Sequence, residues 1–319
     1  MKRSIFLVSV ATLAAGSALA QSSVTVYGRI NETVERIRSN NQTVYNLNDN
    51  SSRIGFRGIE DLGGGVRASF LIEHGFRADT GAQAGAAFWG RESWVALGGA
   101  FGRVRLGNMG PTNAYFTTAD YVSMHNHDTG TSADAFYLYP GNATNMIAYT
   151  SPSMSGLVID AQLGLSENTQ IGRTQVLTAN YDAGPLHLGA SYLQARAGLS
   201  GTKPKEFGLR VLYEIGSFTV GGYIMRNDDA FGVNTRRNAY RASAMYAMGP
   251  GELHLNYGYA DKVKGNAIAD DDAKQFTLGY NYNLSKRTKA YTYYTRVTDP
   301  ARLYGGKFGS FALGVRHNF

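Results

Sequence analysis

The residues in this chain that come nearest to a catalytic device are two tripeptides, Asp79-Thr80-Gly81 and Asp128-Thr129-Gly130, and two imidazoles, His125 and His127. A pair of aspartates can share a proton and activate water between them. That chemistry needs each tripeptide to follow an apolar strand, and here both fall in polar stretches. His125-x-His127 could begin a metal site, but no third ligand stands at a supporting spacing, so a solvated pair is the simpler reading. No Gly-x-Ser-x-Gly elbow, P-loop or zincin helix occurs. The chain has no cysteine, which excludes disulfides, thiolate nucleophiles and Cys-metal sites. No cofactor is expected. What remains is a run of arginines: Arg29, Arg53, Arg57, Arg67, Arg91, Arg103 and Arg105. Guanidinium is always charged and weakly hydrated, so a row of such groups beside water concentrates anions.

The elements that must position these arginines show a period of two, the signature of strands and not of helices. Val24 and Val26 share one face, with Thr25, Tyr27 and Arg29 on the other. Later segments repeat the pattern: Phe207-x-Leu209-x-Val211-x-Tyr213, Leu253-x-Leu255-x-Tyr257-x-Tyr259, Phe276-x-Leu278-x-Tyr280-x-Tyr282 and Phe311-x-Leu313-x-Val315. Their opposite faces are polar or small, as at His254, Asn256, Thr277 and Gly279. Alternation alone does not say which face is outside. Volume decides it: about sixteen strands enclose a lumen too wide for side chains to fill. The lumen is therefore wet, with the polar face and its arginines inside and the apolar face against lipid.

Export fits this reading. Lys2 and Arg3 precede an apolar stretch from Ile5 to Ala15, and Ala18-Leu19-Ala20 supplies small residues at −3 and −1. Residues 1–20 are read as a cleaved signal peptide, leaving Gln21 first in a barrel domain of residues 21–319. The mature chain carries 29 Lys and Arg against 24 acids, too mild an excess to imply a nucleic-acid partner. No further apolar run is long enough for a spanning helix. Thirty-nine Gly and 21 Tyr, against seven Pro, suit the tight turns and aromatic girdles of a membrane barrel.

Connections alternate in length. Short links such as Asp61–Gly65, Gly98–Ala100, Gly249–Gly251 and Asn283–Arg287 alternate with longer polar stretches at Ser39–Asn50, Phe76–Phe88, Gly198–Pro204, Asp228–Thr235 and Lys262–Asp272. Short periplasmic turns with longer outer loops are the outer-membrane arrangement. The stretch from Gly110 to Asn142 is too long for an ordinary connection and invites a functional role.

Several of these segments resemble the general porins of Gram-negative bacteria, of the β-proteobacterial type. The resemblance rests on Ser52-Arg53-Ile54-Gly55-Phe56-Arg57-Gly58-Ile59-Glu60-Asp61-Leu62-Gly63-Gly64-Gly65, on Phe88-Trp89-Gly90-Arg91-Glu92 leading to Phe101–Gly107, on Ile147–Pro152 and Asn283–Thr288, and on the ending Gly314–Phe319. It covers nearly the whole mature chain in order. It implies an all-β fold: a sixteen-stranded antiparallel transmembrane β-barrel, assembled as a homotrimer in the cell outer membrane, whose long third loop folds into the lumen. That loop is here Gly110–Asn142. The family's wall arginines facing it fall on Arg53 and Arg91, while a third position, basic in some anion-preferring members, is Asn142. This departure argues against strong anion selectivity. The terminal Phe319 resembles the aromatic signal recognised by the outer-membrane assembly machinery.

The expected function is a water-filled channel, not an enzyme, for passive diffusion of small hydrophilic solutes and ions, with an anion preference left open. Outer-membrane lipid and lipopolysaccharide would surround it. The candidate pore-lining residues are Arg53, Arg91, Arg29, Arg67, Arg105 and Asp120, with Asp120, Asp128 and Asp134 as loop carboxylates opposite the arginines. Ordinary loop solvation, and acids that hold the loop's own turns, are the competing readings for these carboxylates. Rival functions are a substrate-specific channel of the same architecture, which would show saturable flux, and an enzyme or adhesin anchored by its barrel. A secreted soluble β-protein is a third; heat-modifiable migration in detergent gels would argue against it.

Overall fold

The structure is a computed structural model that describes residues 23–39, 42–109, 113–120, 130–138, 144–165, 173–195, 202–265, 271–299 and 306–319. Its strands are β1 (Ser23–Ser39), β2 (Gln42–Asp49), β3 (Arg53–Gly63), β4 (Val66–Gly75), β5 (Glu92–Gly99), β6 (Gly102–Asn108), β7 (Met146–Thr150), β8 (Leu157–Gly164) and β9 (Gln175–Ala183). There follow β10 (Leu186–Gln194), β11 (Lys205–Ile215), β12 (Phe218–Asp228), β13 (Thr235–Met248), β14 (Gly251–Ala260), β15 (Lys264–Gly265), β16 (Ala273–Asn283), β17 (Thr288–Thr298) and β18 (Phe308–Asn318).

Two of these segments share a wall position with a neighbour. β2 and β3 lie end to end against β1, pairing with Glu32–Ser39 and Ser23–Arg29 respectively. The break between them is at Ser51, whose φ of 63° no strand sustains. β15 continues β14 along β13 in the same way. The wall is therefore a closed antiparallel barrel of 16 strands. The Ser39–Asn50 stretch, expected as a loop, differs from the sequence reading. Its Thr43-Val44-Tyr45 run has strand propensity and extends β1 into a hairpin.

Closure is made by the first and last strands, from Arg29 opposite Asn318 to Ser39 opposite Phe308. Gly28 and Phe319 complete it, each donating its N–H to the other's carbonyl at 3.0 and 3.1 Å. The Phe319 ring occupies the place a Cβ on residue 28 would need, so the seat is a glycine. With the cycle closed, no long edge is left unpaired, as a lipid environment demands.

The two faces are inverted relative to a soluble protein. Leu209, Leu313 and Val315 point outward and are more than half exposed, while His254, Asn256, Gln275 and Thr277 point inward and are buried. That is the orientation the wet-lumen argument requires. None of the described helices is long and apolar enough to cross a membrane. The short connections include Gly63–Gly65, three glycines with φ of 82°, 60° and 79°, a path that other residues rarely follow.

Candidate functional site

The inward face of β1, β3 and β4 brings Tyr27, Arg53 and Glu73 together, and Arg91 reaches them from just before β5. Arg53 lies opposite Arg29 on β1 and opposite Gly75 on β4, two residues from Glu73 on the same face. Glu73 accepts the Tyr27 hydroxyl at 2.9 Å on Oε2 and the Arg91 Nε–H at 2.5 Å on Oε1. Arg53 Nε stands 3.8 Å from Oε2, and its Nη1 donates to the Ser51 carbonyl at 3.0 Å. One buried carboxylate thus holds two guanidiniums in place and offsets one of their two charges. Their side chains keep 18% (Arg53) and 29% (Arg91) of their surface open. A carboxylate in a low-dielectric wall needs this pairing, since an unpaired buried charge is costly.

The other sequence candidates take different places. Arg29 faces inward beside Arg53, its Nε–H donated to Asn318 Oδ1 at 2.9 Å. Arg105 is buried in an ion pair with Asp160, Nη2 to Oδ2 at 2.9 Å. Arg67 lies opposite Gly98, next to the Gly63–Gly65 turn, and is exposed. Arg57 lies over the Tyr27 ring and Arg103 near the Trp94 ring, at 5.2 and 5.7 Å from their centroids. Asp120 closes a π-helical turn, Phe116–Asp120, and its side chain is outside the described structure. His125, His127, Asp128 and Asn142 lie outside the described residues. Asp79-Thr80-Gly81 forms a tight loop turn, with the Gly81 N–H donated to the Arg77 carbonyl at 2.7 Å.

Two stretches of the long connection lie against the inner wall. In residues 113–120, the Thr118 hydroxyl meets that of Ser191 on β10 at 2.6 Å, and Asn180 Nδ2 on β9 donates to Thr117 Oγ1 at 3.0 Å. In residues 130–138, Gln275 on β16 clamps the backbone from both sides. It accepts the Ala135 N–H and donates to the Ala133 carbonyl, each at 2.9 Å. Arg237 donates to the Phe136 carbonyl at 2.8 Å, and the Tyr137 hydroxyl donates to Glu206 at 2.9 Å. On β1, Glu35 accepts the hydroxyl of Thr131 at 2.6 Å and its N–H at 3.3 Å.

Asp134 departs from the expected arrangement. It faces neither Arg53 nor Arg91: its Oδ1 accepts Arg241 Nη2 at 2.6 Å, and its Oδ2 takes the Tyr223 hydroxyl. The Asp134 and Arg241 side chains are almost fully buried. The inward face of β12 and β13 already presents a cation and a phenol there, so the carboxylate anchors the loop.

Glu35, Glu206, Arg237, Arg241 and Gln275 escaped sequence reasoning. Each stands on the non-apolar parity of its strand, which was the available signal. Their loop partners, however, lie from 69 to 142 residues away in the chain. Among the described residues, no group of three or more His, Asp or Glu is placed to hold a metal ion.

A closed antiparallel barrel, apolar outside and polar with fixed cations inside, defines an outer-membrane channel. The chain belongs to the Gram-negative porin family, whose model matches residues 7–301. It is 33% identical to outer membrane porin protein 32 of Delftia acidovorans, over 91% of this chain and 88% of that one. An outer membrane porin of Bordetella pertussis is 29% identical over the full length of both. Among solved structures, the anion-selective porin from Comamonas acidovorans superposes with a TM-score of 0.77 at 28% identity, covering 94% of this chain and 100% of that one. The protein resides in the cell outer membrane and forms a water-filled channel for passive diffusion of small hydrophilic solutes and ions.

Proposed function

We propose that this porin prefers anions, and that Arg53 and Arg91 are the wall cations that solutes meet at its narrowest point. The observation that carries the reading is the sharing of Glu73: one carboxylate gathers two partly exposed guanidiniums and fixes them side by side next to water. Arg29 adds to it on the neighbouring strand, and Arg67 adds charge toward the short-turn mouth. Arg105, already paired with Asp160, contributes less. The likeness to an anion-selective porin supports the same direction. In this reading the long connection narrows the lumen opposite the arginines, with Asp120 on the facing side. Transport involves no covalent step and no cofactor, only geometry and electrostatics.

The assembly reading is a homotrimer, exported through removal of residues 1–20 and set in outer-membrane lipid and lipopolysaccharide. Delivery to the assembly machinery runs through the terminal Phe319. The deciding experiment is the reversal potential of the purified porin in planar bilayers under a tenfold KCl gradient. Wild type is expected to favour chloride, and Arg53→Ala and Arg91→Ala to shift toward potassium. A cation-preferring wild type, or no shift in either variant, overturns the assignment.

A further inference from the structure

We propose that Arg316, with Lys289 beside it, forms a second cationic step that carries small oxyanions between the Arg53–Arg91 pair and the short-turn mouth of the channel. The registers place these groups on one continuous face. Lys289 on β17 lies opposite Arg316 on β18, and Arg316 lies opposite Asn31 on β1. Two residues along β1 is Arg29, opposite Arg53 on β3. Arg91 then packs over Gly75, the residue opposite Arg53 on β4. Lys289, Arg316, Arg29 and Arg53 share the inward parity, opposite to Leu313 and Val315 of β18 and Val24 and Val26 of β1, which face outward and are exposed. The inner wall thus carries a cation on each of β17, β18, β1 and β3, ending on Arg91.

The compensating acids are unevenly spread along this band. Glu73 serves Arg53 and Arg91, and Glu92 lies opposite Glu73 on β5. Glu252 stands 3.7 Å from Lys289, but the same side chain also engages His254, Asn281 and Asn283 at 2.9–3.2 Å. Arg316 has no carboxylate within ion-pair distance among the described residues, and its Nε has no hydrogen-bond partner. Tyr291 packs over Gly314, two residues before Arg316 on the same face. A partly exposed guanidinium set between like charges raises the local potential, and an anion passing in water relieves it. Lys289 directly follows the Asn283–Thr288 turn, and the Asn318 N–H is donated to the Arg287 carbonyl. This step therefore sits at the short-turn end, toward the periplasm. The ligand class is small oxyanions, inorganic phosphate and short carboxylates among them, held loosely enough to leave again.

The inference rests on the anion preference proposed above, and its test separates the two. Reversal potentials under a tenfold KCl gradient would be measured for wild type, Arg316→Ser, Arg316→Lys and Lys289→Gln. Arg316→Ser is expected to lower the anion-to-cation permeability ratio by about two- to threefold, the effect of one unit charge at close range in water. Arg316→Lys should restore the ratio, which a purely structural role for the guanidinium would not predict. Lys289→Gln should shift the ratio the same way by less, because Glu252 already offsets part of its charge. Inorganic phosphate added to the short-turn side should reduce chloride current in wild type and less so in Arg316→Ser. If Arg316→Ser fails to assemble, the Lys289→Gln and Arg316→Lys pair reads the same step. An anion-preferring wild type whose ratio is unmoved by Arg316→Ser, or by Lys289→Gln where Arg316→Ser does not assemble, overturns this inference alone. A cation-preferring wild type overturns both.

Discussion

Glu35 on the first strand and Thr131 on the long connection meet inside the barrel, 96 residues apart in the chain, through two hydrogen bonds to one carboxylate. The same carboxylate accepts the hydroxyls of Thr33 and Ser310, each at 3.0 Å, and is fully buried. Gly130 precedes Thr131 with a φ of 61°, and any Cβ there would collide with Glu35 Oε1. At residues 130–131 the connection is therefore fastened to β1 by one acid, with a glycine leaving room for it, beside the anchors that hold residues 133–137.

If that latch sets the channel width, Glu35→Ala should loosen the loop without breaking the barrel. Removing an acceptor of four hydrogen bonds leaves buried donors unpaired, at a cost of about 1–3 kcal/mol for each group left without a partner. Single-channel records should show higher or noisier conductance, and Gly130→Val should reproduce it. Steady currents of unchanged size in both variants would show that the loop is held elsewhere.

Glu73→Gln tests the charge balance from the opposite side to the arginine variants. Its carboxylate offsets part of the charge of Arg53 and Arg91. The amide keeps an acceptor for Tyr27 while removing the negative charge. The chloride preference should rise, by about as much as loss of one arginine lowers it. A shift toward potassium would mean that Glu73 acts by placing the guanidiniums, not by neutralising them.

Asp134 and Arg241 form an ion pair shut off from water, and Arg241 also donates to Gln275 at 2.8 Å. Breaking one side strands the other. Arg241→Met should cost about 3–5 kcal/mol, and the double variant with Asp134→Asn should recover much of it. Thermal unfolding of the purified porin in detergent reads the cycle. Additive losses in the double variant would show that the two side chains act independently.

At the seam, Gly28→Val removes the space for the Phe319 ring, and deletion of Phe319 removes the two terminal backbone hydrogen bonds. Both should reduce the amount of folded, heat-modifiable protein recovered from outer membranes. Gly28→Val should do so even though the C-terminal residue is intact. Normal yields from both variants would assign closure to the remaining β1–β18 pairs.

The alternating pattern of Leu253-x-Leu255-x-Tyr257 and its neighbours determined by itself that this chain builds strands, which residues share a face, and that Arg29, Arg53, Arg57, Arg67, Arg103 and Arg105 face away from lipid. These are local properties, since side-chain direction in a strand depends only on parity. The same local reading mistook Ser39–Asn50 for a loop, because pairing of Gln42–Asp49 with the upper half of β1 depends on where β1 ends. Only the tertiary structure decided which charges meet. Asp134 and Arg241 are 107 residues apart, and Glu73 has Tyr27 46 residues before it and Arg91 18 after. Barrel closure and strand register set those encounters, and no spacing within a single strand encodes them. The conductive character of the protein was therefore legible in its parity, while its balance of fixed charge was settled by contacts across the lumen and around the wall.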